Sequence, residues 1–522
     1  MIHFKLIYIF TLIQYVLANK APDINSITNR PLIHYTPEKG WMNDPNGLFY
    51  DKKFKIWHLY FQYNPKDTLW GLPLYWGHAT SKDFVNWEHH DVAIGPEKDN
   101  EGIFSGSIVI DYNNTTGFFN SSIDKSQRIV AVYTNSASNL QTQNIAYSFD
   151  GGYTFTKYIN NPIINVNSPN FRDPKVFWHD KTQQWIMVVS KSQEYKIQIF
   201  GSPNLKKWKL HSNFSSGYYG SQYECPGLIK VPIENTNKYK WVMFLSINPG
   251  SPMGGSANQY FIGDFDGYKF IADDSQTRFM DSGKDFYAFQ TFSDVDVSKY
   301  GVLGLAWASN WQYANRVPDT NNYRSSMTLI RNYTLEYIST NSETKLLNLI
   351  QKPVLGNSLN IIDSINKKNI IMNTNMSIEL KTNNINDIFD FDITFKVVGP
   401  TSPRNVTNLD IIIGSPKNET IRLGFDPVVP GFYFNREIQN KFYKNPFFTN
   451  KFSTYLEPLE GNYQVYGIVD RNIIELYFNN GSSTMTNTFF MSEGNLPNSI
   501  KILTSIDDVF KVEEANIRIL SL

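Results

Sequence analysis

Three short segments of this chain place a carboxylate next to residues that fix its position. Asp44 lies in the heptad Trp41–Gly47, Asp173 follows Arg172, and Glu224 precedes a Cys-Pro pair. Proline locks φ and glycine frees the backbone, so the heptad can aim one short carboxylate rigidly. Two carboxylates facing one bond, roughly 5 Å apart, are the minimal machinery for cleaving a glycosidic bond with retention. The same residue types also form ordinary turns and ion pairs. Their position in the fold must therefore decide whether the three acids are catalytic or structural.

The surroundings of the three acids suggest different tasks. Asp44 stands between two amides, Asn43 and Asn46, and a carboxylate in polar surroundings stays ionised and can attack a carbon. Glu224, held against apolar groups and like charges, would keep a proton and donate it to a leaving group. Asp173 follows an arginine, and we expect it to remain an anion that binds sugar hydroxyls and opposes developing positive charge.

The three acids occupy the same position in different copies of an internal repeat. Short polar openings begin at Asp44, Ser105, Asp173, Glu224 and Asp285, spaced by 61, 68, 51 and 61 residues. Each opening leads into an apolar run, such as Trp-Ile-Met-Val-Val-Ser in the third copy. A period near 60 residues with several strands per unit is typical of propeller blades, so the sequence predicts a five-bladed β-propeller. The first strand of each blade lines the central axis, so the five openings are expected to converge at one end of the channel.

The last third of the chain has a different pattern. Phe391–Val397 alternates apolar and polar residues strictly, as a half-buried strand does, and Ile473–Phe478 ends at an Asn-Asn-Gly turn. No acid-proline opening recurs there. We therefore predict an all-β protein: a five-bladed β-propeller (30–340), a linker (341–355) and a C-terminal β-sandwich (356–522).

Composition limits the partners and cofactors. The 522 residues carry 48 basic and 48 acidic side chains without long blocks of either sign, which argues against nucleic acid and anionic membrane surfaces. Aromatic residues make up 15% of the chain, which suits β-strands and hydroxyl-rich ligands that stack on rings. The single cysteine, Cys225, excludes an intrachain disulfide, and we expect it to tune the surroundings of Glu224. No cluster of metal ligands stands out, so we predict no metal and no cofactor.

The N-terminus has the pattern of a secretory signal peptide at 1–18. Lys5 precedes a short apolar run, Leu6–Leu17, and Ala18 supplies a small residue for cleavage. The run is too short to span a bilayer comfortably. The expected location is therefore extracellular or in the cell-wall space, with no membrane association after cleavage. Nine N-glycosylation sequons agree with this: Asn113, Asn114, Asn120, Asn213, Asn332, Asn375, Asn405, Asn418 and Asn480.

Four motifs in this order resemble glycoside hydrolase family 32, and within it the secreted yeast invertases (β-fructofuranosidases). They are Trp41–Gly47, Phe104-Ser-Gly-Ser107, Phe171-Arg-Asp-Pro174 and Tyr223-Glu-Cys-Pro226, and the resemblance runs from about Arg30 to the C-terminus. It implies the same propeller and sandwich. It also implies retaining cleavage of terminal β-D-fructofuranosides, chiefly sucrose, with transfer of fructose to sugar acceptors at high sucrose.

The resemblance implies a role for each matched residue. Asp44 would be the nucleophile, Glu224 the acid/base and Asp173 the stabiliser of the transition state. Fructose contacts are implied for Asn43, Gln62, Trp70, Phe104, Ser105 and Arg172, with Asn248 and Trp311 nearer the leaving group. Trp41 adds a flat apolar face of the kind on which sugar rings stack.

One segment departs from the yeast pattern, so the sequence does not determine which molecule accepts the fructosyl group. Relatives tend to read Asn-Pro-Trp-Arg-Ser-Ser where this chain has Asn321-Asn-Tyr-Arg-Ser-Ser326. A fructan (inulin-type) hydrolase and a fructosyltransferase are therefore alternatives on the same scaffold. A carbohydrate-binding propeller without activity is an alternative of another class. The expected partners are sucrose and fructo-oligosaccharides, together with a second copy of the chain in a homodimer or larger assembly through the sandwich.

Overall fold

The computed structural model describes residues 29–252, 254–318, 322–339, 343–384, 387–401, 407–437 and 441–522. The predicted signal peptide at 1–18 lies outside these residues. Regular structure in the described residues is almost entirely β, in seven sheets. The exceptions are a helical turn, α1 (Val297–Tyr300), and 3-10 turns at Lys125–Gln127, Ser192–Glu194, Ala314–Arg316, Lys441–Lys444 and Asn479–Gly481. None of the helices described is long and apolar enough to cross a membrane.

Five antiparallel sheets form the blades of a propeller, with strands numbered in chain order. Blade 1 contains β1 (Gly40–Asp51), β2 (Ile56–Asn64), β3 (Tyr75–Ser81) and β4 (Trp87–Ile94). Blade 2 contains β5 (Gly102–Ile110), β6 (Ile129–Ala137), β7 (Leu140–Ser148) and β8 (Thr156–Lys157). Blade 3 contains β9 (Phe171–His179), β10 (Gln184–Lys191), β11 (Lys196–Ser202) and β12 (Lys209–Phe214).

The last two blades have the same plan with small additions. Blade 4 contains β13 (Tyr223–Pro232), β14 (Tyr239–Ile247), β15 (Ala257–Phe265) and β16 (Phe270–Ala272), with β17 (Arg278–Phe279) also pairing β15. Blade 5 contains β18 (Tyr287–Thr291), β19 (Val302–Trp307), β21 (Arg331–Ser339) and β22 (Lys345–Pro353). The short β20 (Tyr323–Arg324) pairs parallel with β1.

Blade 5 closes the ring against blade 1. The amide of Tyr50 donates to the carbonyl of Ser293 (3.1 Å), and the amide of Ser293 donates to the carbonyl of Leu48 (2.8 Å). The second strand of each blade is covered on both faces by neighbouring blades, which explains why β10 is a continuous apolar run, with Trp185–Val189 buried. The predicted five-bladed propeller is confirmed.

The C-terminal domain is a sandwich of two six-stranded sheets. One has the order β23 (Asn360–Ile371), β34 (Phe510–Ser521), β25 (Ile388–Val397), β30 (Tyr463–Asp470), β31 (Ile473–Phe478) and β32 (Ser483–Thr488). The other has the order β24 (Ile378–Lys381), β33 (Ser499–Thr504), β26 (Leu409–Gly414), β27 (Thr420–Asp426), β28 (Gly431–Asn435) and β29 (Lys451–Tyr455). In β25 the alternate residues Phe389, Phe391, Ile393 and Phe395 are buried in the shared core, so the predicted sandwich is confirmed.

The predicted linker at 341–355 is wrong over most of its length. Lys345–Pro353 is the outer strand of blade 5 and pairs antiparallel with Arg331–Ser339 along its whole length. Its central residues, Leu349 and Ile350, are buried against the propeller core. The chain therefore enters the sandwich only after Pro353, because an amphipathic strand of this length finds a partner in the blade.

Candidate active site

The five inner strands share a β-bulge at the same level of the channel. Their register slips between Met42 and Pro45, Phe104 and Gly106, Glu224 and Gly227, Tyr287 and Gln290, and opposite Val188 and Ser190 in blade 3. A bulge adds one residue to a strand and redirects its side chain. Asp173 (φ 68°), Cys225 (φ 44°) and Ala288 (φ 54°) accordingly adopt left-handed backbone conformations, which are rare outside glycine and concentrate at functional sites. Four of the five predicted openings converge here.

Asp44 is held by a relay that begins in the core. Nε1 of Trp41 donates to Oδ1 of Asn43 (2.7 Å), and Nδ2 of Asn43 donates to Oδ1 of Asp44 (2.9 Å). From blade 2, the Ser105 hydroxyl donates to Oδ2 of Asp44 (2.7 Å). Both carboxylate oxygens therefore accept a hydrogen bond, which fixes the rotamer of the acid and stabilises its charge.

Asp173 and Asp44 both contact the Cys225 thiol. The amide of Cys225 donates to Oδ2 of Asp173 (3.0 Å). Its sulfur lies 3.4 Å from Oδ2 of Asp44 and 3.7 Å from Oδ2 of Asp173. The amide of Asp173 in turn donates to the Thr134 hydroxyl (3.0 Å), which anchors the bulge to blade 2. The buried thiol thus separates two carboxylates that share one end of the channel.

Glu224 is paired with a cation and a phenol. Arg172 donates to its Oε1 from Nε (3.1 Å) and Nη2 (2.9 Å), and the hydroxyl of Tyr287 donates to its Oε2. Gln222 and Gln141 accept further bonds from the guanidinium, at 3.0 and 3.2 Å. The sequence expectation that apolar groups surround Glu224 is therefore wrong.

Burial and mutual repulsion dominate the electrostatics of the two aspartates. Burial raises the pKa of Asp44, the charge of Glu224 adds to this, and the hydrogen bond from Ser105 opposes it. Burial and the neighbouring carboxylates raise the pKa of Asp173 to about 7, against the opposing charge of Arg172. Arg172 lowers the pKa of Asp173 less than the sequence suggested, because its Nε lies 3.9 Å from Asp173 whereas its Nη2 lies 2.9 Å from Glu224.

Other predicted binding residues lie on strands and loops next to those that carry the acids. Gln62 is buried and donates to the carbonyl of Ile103 (2.9 Å), so it is fixed between blades 1 and 2. Phe104 is half-buried one residue before Ser105. Asn248 follows β14. Its backbone N–H donates to the backbone carbonyl of Gln222 (3.3 Å), which places Asn248 beside the strand that carries Glu224.

A series of tryptophans leads from the core to the rim. Trp41 is fully buried and stacks on Trp311 (centroids 5.8 Å apart), and Trp311 contacts Trp70 edge-on (6.4 Å). Trp70 is 41% exposed, whereas Trp41 is 0% exposed. The expectation that a sugar stacks on Trp41 is therefore wrong, and Trp41 acts on the site through Asn43. Tyr323, in the divergent segment, is also buried and lies under the guanidinium of Arg30.

Blade 5 contributes a different residue from the one its repeat predicts. Asp285 is fully buried and forms an ion pair with Arg436 of the sandwich (2.6 Å). Tyr287, two residues further on, reaches Glu224 instead. The sequence reasoning missed Tyr287, Gln222 and Gln141 as ligands of the Arg172–Glu224 pair. Tyr287 lies two residues after the start of the opening at Asp285, so the repeat pointed to the correct segment of blade 5. Within the described residues no group of three or more His, Cys, Asp and Glu side chains could hold a metal ion.

Comparison with known proteins places the chain in a family. Residues 34–353 match the Glycosyl hydrolases family 32 N-terminal domain, and residues 361–517 match the Glycosyl hydrolases family 32 C terminal. The chain is 62% identical over 505 residues to an invertase of Debaryomyces hansenii, with 94% of each covered. It is 53% identical over 495 residues to an extracellular exo-inulinase of Meyerozyma guilliermondii, covering 94% of this chain and 95% of the relative.

A solved structure agrees with these matches. The β-fructofuranosidase from Schwanniomyces occidentalis complexed with fructosyl-erythritol has a TM-score of 0.92 and 62% sequence identity, over 95% of this chain and 99% of that one. The order of motifs, the blade count and the appended sandwich agree with both family matches, so the resemblance found in the sequence is confirmed. This chain belongs to glycosyl hydrolase family 32.

Proposed function

We propose that this protein is a retaining β-fructofuranosidase that hydrolyses sucrose to glucose and fructose. The observation that carries the proposal is the convergence of Asp44, Asp173 and Glu224 at one end of the channel, with Asp44 oriented by Ser105 and Asn43. The relatives named invertase and β-fructofuranosidase support this choice of substrate.

In the first step Asp44 attacks the anomeric carbon of the fructosyl unit. Glu224 protonates the oxygen of the leaving glucose, so a covalent fructosyl-enzyme forms as the glycosidic bond breaks. Arg172 donates two hydrogen bonds to Oε1 of Glu224 and so orients that carboxyl toward the substrate. Asp173, in its ionised form, opposes the positive charge that develops at the ring.

In the second step an acceptor releases the sugar from Asp44. Glu224, now deprotonated, removes a proton from water, and the resulting nucleophile restores the original configuration at the anomeric carbon. A sugar hydroxyl that occupies the same position takes the fructosyl group instead. Trp311 and Asn248 border this position, so they are candidates for setting the ratio of transfer to hydrolysis.

The proposed roles are tested by removing one charge at a time. Asp44→Asn and Glu224→Gln should each lower kcat for sucrose by at least about 10²-fold, because each group acts directly on reacting atoms. Asp264→Asn is a matched control, since the Asp264 side chain is 75% exposed in an ion pair with Lys240. Retention of more than about one per cent of wild-type turnover by either active-site variant would contradict these roles.

A fructan hydrolase is the second candidate, because one relative is named as an extracellular exo-inulinase. A time course with sucrose, kestose-type oligosaccharides and inulin distinguishes the candidates. Equal glucose and fructose from sucrose supports hydrolysis, and accumulation of trisaccharide supports transfer. A higher kcat/KM for inulin than for sucrose would favour the fructan hydrolase.

Secretion and self-association complete the proposal. Residues 1–18 are a signal peptide, and the mature protein acts outside the cell, as the word extracellular in a relative's name also suggests. Sequencing the N-terminus of protein recovered from medium or cell wall tests cleavage. Light scattering of the mature glycoprotein tests whether the sandwich supports a homodimer or larger assembly.

A further inference from the structure

The end of the channel opposite the three acids opens into a second cavity. It has a volume of about 510 Å³ and is lined by the far ends of the inner strands of blades 2 to 5. Its wall is largely apolar and includes Trp178, Trp241 and Phe292. These residues have no part in the mechanism above.

Lys175 is the buried cation of this cavity. It follows Asp173 by two residues on β9, and only 7% of its surface is exposed. Its ammonium donates to the carbonyl of Thr291 (2.6 Å), and no ion pair or second hydrogen bond of this group occurs among the described residues. An ammonium has three donors, and a buried charge without a counter-charge is unfavourable. Burial accordingly lowers the pKa of Lys175 to about 7.

The other charged groups around the cavity are engaged with partners or exposed to solvent. Asp294 accepts bonds from Lys52 (2.8 Å) and Tyr112 (2.7 Å), so its charge is balanced. Lys230 lies over the Trp241 ring, 5.5 Å from its centroid. His179 bonds the Thr182 hydroxyl (2.7 Å), and Asp180 also lines the wall. Lys175 is therefore the buried charge of this cavity that has no counter-charge among the described residues.

We propose that this cavity binds a small organic carboxylate, with its carboxylate on the Lys175 ammonium and its apolar body against Trp241 and Phe292. A carboxylate supplies the missing counter-charge and accepts the remaining N–H donors. An apolar body suits the wall better than a fully hydrated inorganic anion, because it removes apolar surface from water. The site is independent of the proposed function.

Benzoate is a suitable probe, and benzamide is its neutral analogue of the same shape. In calorimetry on the full-length mature protein, benzoate should bind with saturation, and benzamide should bind at least about tenfold more weakly, as expected for loss of a charge-assisted hydrogen bond. Lys175→Met, which keeps the length of the side chain, should lose the preference for benzoate. Lys181→Met, at an exposed lysine on the same blade, should retain it.

A wild-type measurement keeps the test independent of how the variant folds. Lys175 must be protonated to bind an anion, so benzoate affinity should rise about tenfold between pH 8 and pH 6, with proton uptake on binding. Quenching of tryptophan fluorescence by benzoate should follow the same curve. Equal binding of benzoate and benzamide, unchanged benzoate binding by Lys175→Met, or no saturable binding at either pH would overturn the proposal.

Discussion

Arg331 of the propeller and Glu475 of the sandwich form an ion pair in which neither side chain is exposed to solvent. Nη2 of Arg331 lies 2.7 Å from Oε2 of Glu475, and both side chains have 0% relative exposure. Glu475 also accepts a bond from the amide of Leu329. Without Glu475, the buried Arg331 would keep only Asp281, at 3.2 Å, as a counter-charge, so the two domains depend on this contact.

Glu475→Gln should therefore destabilise the protein severely. We expect a loss of about 3–5 kcal/mol in the free energy of unfolding, because Arg331 and His34 would each lose a buried counter-charge. Denaturant unfolding followed by tryptophan fluorescence measures this. Lys240→Met is the control, since its pairs with Asp264 and Asp273 lie at the surface, and it should change stability by less than about 1 kcal/mol. A similar small effect at Glu475 would show that the pair is not needed.

The same cluster should make stability depend on alkaline pH through His34. Burial lowers its pKa, but bonds to Asp470 (2.8 Å) and Glu475 (3.2 Å) outweigh this and raise the pKa from 6.5 to about 9. A raised pKa gives stability that is complete below about pH 6.5 and is lost as pH rises through 9. The shift corresponds to a contribution on the order of 3 kcal/mol.

Comparing wild type with His34→Gln measures this contribution. The difference in free energy of unfolding should be largest near pH 6 and should shrink as pH rises to about 9.5, where wild-type His34 is neutral. His211→Gln provides the control, because His211 lies on an outer strand and bonds Gln184. A difference that stays constant across this range would contradict the proposed charge on His34.

Ser105→Ala should shift the acid limb of the activity profile to higher pH. The Ser105 hydroxyl lowers the pKa of Asp44, so its loss raises that pKa, and Asp44 must be ionised to attack. The dependence of kcat/KM for sucrose on pH measures the shift. Ser126→Ala is the matched control for Ser105→Ala, because the Ser126 hydroxyl also donates to an aspartate, Asp124, at 2.7 Å but lies on the surface. An unmoved acid limb would show that Ser105 does not control Asp44.

The sequons should differ in occupancy because their asparagines differ in access. Asn114 bonds the backbone of Phe119 through both amide atoms (2.7 and 3.1 Å), and the Asn332 amide packs against Gly301 inside blade 5. We expect these two to carry no glycan. The sequons with exposed asparagines are Asn113, Asn120, Asn213, Asn375, Asn418 and Asn480. Peptide mapping after enzymatic deglycosylation in heavy-oxygen water identifies occupied sites, and a glycan at Asn332 would contradict the expectation drawn from its packing against Gly301. Asn405 lies outside the described residues.

The repeat in the sequence predicted the blades and the convergence of Asp44, Ser105, Asp173 and Glu224, because spacing along the chain sets which strand comes first in a blade. It could not predict the direction of side chains after a bulge. One extra residue in a strand reverses which face the next residue occupies. Nor could it predict that Asp285, which precedes the strand, pairs with Arg436 of the sandwich, while Tyr287 at the start of the strand reaches Glu224.

Contacts between residues that are far apart in the chain could not be predicted from the motifs either. Arg172 precedes Asp173 in the chain, but its guanidinium pairs with Glu224, which is far away in sequence and close in space. Trp41 belongs to the motif but is covered by Trp307 and Trp311. Such contacts depend on how two blades pack, and a motif within one blade carries no information about them.

The bulges at one level of the channel also affect how this protein can change. Each extra residue is accommodated within its own strand, and regular pairing resumes beyond it, as at Gly106 in β5 and Gly227 in β13. A substitution at a bulge therefore alters what projects into the channel without shifting the ladder below it. Each blade therefore presents its own side chains to the channel independently of the other blades. New acceptor preferences can arise by single substitutions while the strand pairing of the propeller stays unchanged.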